Sequence, residues 1–154
     1  MTEFFIFERF KGNIRIIERF SNSNLELTDQ EKENMKGILS FHSSLFEIKT
    51  IDPKSNTMIL CDLLDNNHSE FNLMDINLSH SSTYGLIFYS RLLPIKDCYM
   101  TSGVSFPFEM SEKNKLFAVI SLDTFKKRSK LTTTEMFILM HKKHQQFGAK
   151  VRTL

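Results

Sequence analysis

His141 and His144 are the first residues in this 154-residue chain whose spacing could do chemistry. Three apart, they would share one helix face, and zinc takes imidazole ligands. The ion needs three or four ligands, however, and here Lys142 and Lys143 stand between the rings with no carboxylate following. The segment reads as a solvated basic face, and no metal is expected. Cys98 follows Lys96-Asp97, where a cation could lower a thiol pKa. It opens an apolar run beside Tyr99, so it reads as a buried, inert thiol. No Gly-x-Ser-x-Gly elbow is present. Gly12, Gly37, Gly85, Gly103 and Gly148 never gather into a phosphate-cradling loop, and no cofactor is expected.

Acid–base chemistry would need a carboxylate in an unusual setting. Asp62 has one, inside the apolar run Met58–Leu64. An acid there either turns to solvent or is held by a partner. Arg91, inside the apolar run Tyr84–Leu93, is the expected partner, and a structural ion pair between Asp62 and Arg91 across a sheet is expected. Should the chain be an enzyme, Asp62, His42 and Cys98 are the places to look first. His42, His68 and His80 lie near turns or element ends and read as surface or capping side chains.

The basic residues form the remaining constellation. Residues 1–112 hold 10 Lys and Arg against 16 Asp and Glu, whereas residues 113–154 hold 10 basic residues against Asp123 and Glu135 alone. Lys126, Lys127, Arg128 and Lys130 make a compact patch, joined by Lys142, Lys143, Lys150 and Arg152. Such residues could contact phosphates in a salt-sensitive, sequence-independent way, with Phe88, Tyr89 and Tyr99 stacking on bases. The asymmetry could equally be satisfied within the fold, one half attracting the other, and this second reading is preferred.

These residues must be carried by a folded scaffold. With 41% hydrophobic and 25% charged residues, the composition is that of one globular domain. Cys61 and Cys98 have no neighbouring cysteine, which predicts free thiols. The start Met1–Phe7 carries Glu3 and is broken by Glu8 and Arg9, unlike a secretory signal, and no uncharged run reaches the length of a membrane span. A cytoplasmic protein with no membrane contact is expected.

Along the chain, residues 1–43 read as helical. A break near Gly12 and Asn13 separates two short elements, and Thr28-Asp29-Gln30-Glu31 is a capping box that opens a third. Residues 44–109 read as five short strands with turns at Asp52–Asn56, Asp65–Asn67 and Lys96-Asp97. Residues 110–154 return to helix, with a second capping box at Thr132–Glu135. The expected fold is α+β, a central antiparallel five-stranded meander curled into a small SH3-like or OB-like barrel. Helices precede and follow it.

Several segments carry a resemblance: Glu3–Arg9, Leu27–Glu31, Ser44–Ile48, Ile51-Asp52-Pro53, Leu60–Leu64, Tyr84–Pro94 and Met100–Gly103. In this order they resemble a loosely defined group of uncharacterised bacterial proteins, some of which bear an SEC-C zinc motif. This chain lacks any Cys-x-Cys pair or terminal Cys/His cluster, so the resemblance implies no metal and no activity. The expected function is a non-catalytic binding or adaptor domain acting through an unidentified protein partner. The alternatives are RNA or DNA binding by the basic C-terminal region, and an enzyme of unrecognised type.

Overall fold

A computed structural model describes residues 2–8, 14–23 and 26–149. Three helices lead the chain: α1 (Thr2–Phe7), α2 (Ile16–Ser21) and α3 (Asp29–Leu39). The expected break at Gly12 and Asn13 lies outside the described residues. Thr28 and Glu31 close their capping box as expected, the Thr28 oxygen accepting the Glu31 N–H and the Glu31 carboxylate accepting the Thr28 N–H. Gly37 sits where α3 meets the sheet. A Cβ there would come within 2.3 Å of the Pro94 carbonyl oxygen, so only glycine permits the approach.

Five strands follow: β1 (His42–Asp52), β2 (Thr57–Asp62), β3 (Glu70–Met74), β4 (Ile87–Ile95) and β5 (Cys98–Phe108). They close a barrel in the order β1-β2-β3-β5-β4. The barrel is as expected, but the order is not that of a pure meander. The polar stretch after β3 is a helix, α4 (Ile76–Ser81), nucleated by the Asp75 carboxylate, which accepts the Leu78 N–H at 2.9 Å. This crossover carries the chain past β3, so β5 enters between β3 and β4 and pairs in parallel with β3 at Leu73 and Tyr99. That connection makes the barrel OB-like rather than SH3-like.

The last strand also runs further than its sequence suggests, through Gly103 and Pro107. Opposite Arg91, β5 carries extra residues between Thr101 and Ser105. Gly103 lies in this bulge at φ +104°, a conformation that side chains disfavour. Pro107 needs no partner for an N–H, and its carbonyl accepts the Ala149 N–H at 2.9 Å where the chain returns.

Two cores share the sheet. Phe46, Ile48, Met58, Leu60, Leu73, Phe88 and Leu92 fill the barrel. On the outside, Leu45, Ile87, Tyr89, Phe106 and Phe108 pack under two C-terminal helices, α5 (Lys113–Lys127) and α6 (Thr133–Phe147), against Leu116, Phe137, Leu139 and Met140. β4 is therefore buried on both faces, which is why Tyr84–Leu93 reads as a nearly unbroken apolar run. Among the described residues no helix is long and apolar enough to cross a membrane.

Candidate functional site

Asp62 and Arg91 are both buried, as an ion pair would require, but they do not meet. Each has found a nearer partner. Asp62 ends β2 at the barrel rim. Its Oδ2 lies 2.7 Å from His42 Nε2, and its Oδ1 accepts the Ser44 hydroxyl and the N–H groups of Leu64 and Asp65 at 2.8 and 3.2 Å. Burial pushes this carboxyl up, but the bonds from His42, Ser44 and Leu64 outweigh it and hold Asp62 below its ordinary pKa. The His42 ring stacks on Phe71, with centroids 5.1 Å apart, and stays partly exposed in a cleft of about 340 Å3 bordered by Thr132, Thr133 and Met136. The cleft unites His42 and Asp62, two of the three residues expected to matter should the chain be an enzyme. It does not make a Ser–His–Asp relay, because Ser44 and His42 both donate to the same carboxylate and neither activates the other.

Arg91 faces the helical layer at the β5 bulge. Its guanidinium binds Glu3 and Glu8 of the N-terminal segment, and Ser102 also donates to Glu3. It stacks on Phe7 and Phe41, 4.4 and 4.9 Å from their ring centroids. Thr134 of α6 donates to the second Glu8 oxygen at 2.6 Å. Burial raises the Glu3 carboxyl above its ordinary range, against the pull of Ser102 and Arg91. This cluster fastens α1 to β4, β5 and α6, and its work is structural.

His141 and His144 pack on Phe106, with ring centroids 5.5 and 5.7 Å away, and burial lowers the His144 pKa. They belong to the helix–barrel interface. Among the described residues, no three His, Cys, Asp or Glu side chains converge as metal ligands would. Burial pushes the Cys61 thiol up, and half-buried Cys98 donates to the Ile95 carbonyl at 3.5 Å.

The basic C-terminal region answers the question left by the charge asymmetry. Two ion pairs join it to the acidic part, Lys113 with Glu47 at 3.0 Å and Lys115 with Glu112 at 2.6 Å. Lys127 is taken by Glu135. That contact and the Thr132 cap hold exposed Glu135 at a pKa of about 2. Lys126, Arg128, Lys130, Lys142 and Lys143 have no acidic partner among the described residues, so most of the excess charge is left facing outward; Lys150 and Arg152 lie outside the described residues. Lys126, Lys142 and Lys143 line a furrow of about 410 Å3 between α5 and α6, above Val119, Leu122, Ile138 and Leu139. Beside it Leu122 is 56% and Phe125 81% exposed.

The aromatic residues expected to stack on bases are elsewhere. Phe88 and Tyr89 are buried, and Tyr99 packs edge-on against Phe71. Phe125, Leu122 and Ile138 are exposed instead, and none of them is among the candidate site residues read from the sequence. A signal was nonetheless present. Leu116, Phe117, Val119, Ile120, Leu122 and Phe125 wrap too far around α5 for one face to bury them all.

Compared with known proteins, residues 1–154 match the model of a family of unknown function (DUF7986), and the chain belongs to that family. No curated protein and no solved structure matches it.

Proposed function

We propose that the protein is a non-catalytic binding module that acts through protein–protein contacts made by the outer face of the α5–α6 hairpin. One observation carries this reading. Lys126, Lys142 and Lys143, which have no acidic partner among the described residues, line the same furrow as exposed Leu122 and Ile138, and exposed Phe125 adjoins Lys126 in the chain. Exposed apolar side chains with a charged rim are the usual anatomy of a protein interface. The barrel beneath supplies a rigid platform, since α6 contributes Phe137, Leu139 and Met140 to the buried core.

RNA or DNA binding is the second reading. It is favoured by the run Lys126, Arg128 and Lys130 beside exposed Phe125, which could stack on a base. It leaves Leu122 and Ile138 unexplained, because a phosphate backbone offers little aliphatic surface to cover them.

Two measurements separate the readings. Affinity capture from cell extract with wild type and with Ile138→Glu should recover a protein that the variant loses. Fluorescence anisotropy with mixed RNA and DNA oligonucleotides should show no micromolar binding at physiological salt. Oligonucleotide binding that falls steeply with salt, and is abolished by reversing Lys126 and Arg128, would replace the first reading with the second.

A further inference from the structure

We infer that the occupant of the α5–α6 furrow is an acidic amphipathic helix of a partner protein; this rests on the protein-binding reading above. The shape of the furrow is the first argument. Its walls are two helices of 15 residues each. The lining runs from Val119 to Lys126 on α5 and from Glu135 to Gln146 on α6, about 10 and 16 Å of helix, room for two to three turns of a third helix lying between them. Lining positions recur at helical spacing, Val119, Leu122 and Lys126 on α5 and Ile138, Lys142 and Gln146 on α6. Ridges of a third helix fit such a channel.

An extended strand is the other common way to add a peptide, and it needs a free sheet edge. Among the described residues the five strands close into a barrel, so no strand is left open along a whole side.

Charge is the second argument. The floor is apolar, and Lys126, Lys142 and Lys143 stand on its rim. Of the two acids there, Glu135 is already engaged by Lys127, which leaves Asp123 as the only counterweight among the lining residues. A helix with apolar residues at i, i+3 or i+4, and i+7 would bury Leu122 and Ile138. Glu or Asp on its flanks would meet the lysines.

The test uses the full chain and a labelled synthetic helix of about 20 residues, roughly 30 Å long, with Leu along one face and Glu on both flanks. Its control has the same composition with the Leu residues scattered around the helix. The patterned helix should bind at least about ten-fold more tightly than the scattered one. Ile138→Glu and, separately, Lys142→Glu with Lys143→Glu should each weaken it by about ten-fold or more, with the far-ultraviolet circular dichroism of the protein unchanged. Equal binding of both peptides, or no response to either variant, would overturn the inference. An oligonucleotide that displaces the patterned helix would overturn it in favour of nucleic acid. If the peptides fail while Ile138→Glu still loses a captured protein, the protein-binding reading stands and the helical occupant falls.

Discussion

His42 Nε2 lies 2.7 Å from Asp62 Oδ2, so the first side chain of β1 is fastened to the last of β2. Because Asp62 also accepts Ser44, Leu64 and Asp65, one carboxylate organises the barrel rim and the turn that leaves it. Asp62→Asn replaces an acceptor oxygen with a donor facing other donors. It should cost about 2–3 kcal/mol in urea unfolding at neutral pH. The folded pKa of Asp62 is lowered. Its contribution is therefore present above the unfolded value of about 3.9 and is lost as pH falls through the folded one. The gap between wild type and Asp62→Asn should narrow at the acid end of a pH series.

Glu3 behaves in the opposite sense. Its pKa is raised by burial, so the stability it contributes is full below the unfolded value of about 4.3 and is lost as pH rises through the folded value. Glu3→Gln should therefore gain on wild type as pH rises above the unfolded value of about 4.3, read as the difference in urea midpoints. A difference that is flat with pH would show that Arg91 keeps Glu3 charged throughout.

Arg91→Met leaves Glu3 and Glu8 buried without their cation. The expected loss is about 3–5 kcal/mol. Hydrogen exchange should quicken first in α1, which has the cluster as its anchor. If α1 exchanges no faster than α6, the anchor lies elsewhere.

Gly37→Ala would favour an isolated helix by about 1 kcal/mol. Here the added Cβ meets the Pro94 carbonyl at 2.3 Å, so the variant should instead be destabilised, by roughly 1–3 kcal/mol. Chemical denaturation of the two proteins decides the sign.

Thr132→Ala removes the cap of α6, and Thr28→Ala that of α3; each costs about 1 kcal/mol of local helix stability. The effects should differ in reach. α6 buries Phe137, Leu139 and Met140, whereas α3 has no buried residue. Thr132→Ala should lower the global melting temperature, and Thr28→Ala should mainly increase amide exchange within α3.

What the sequence made legible was local. Both capping boxes are four-residue patterns, and both form. The turn after Asp52 follows from residue types that tolerate it, with Asn56 at φ +57°, whereas at Lys96-Asp97 it is Lys96 that takes a positive φ, +52°. Contacts across long separations were not legible. Arg91 meets Glu3 and Glu8 across 88 and 83 residues, and no short pattern records that choice over Asp62. α4 was missed because Asn77, Ser79, His80 and Ser81 favour turns, and the Asp75 cap together with the packing of Leu78 on the barrel core overrides that preference. The excess of lysine in the last third was plain, but that it stays open depends on where Glu47, Glu112 and Glu135 sit in space.

β4 touches the barrel core through Phe88 and Leu92, and the helical core through Ile87 and Tyr89. A strand that answers to two cores cannot release one of them alone. Peeling α5 and α6 away would strip water-shielding from alternate residues of the strand that closes the barrel. Barrel and helices should therefore melt in a single transition, and a fragment ending after Phe108 should not survive as a smaller, independent protein. The surface proposed to greet a partner is thus borne by helices that the protein cannot discard.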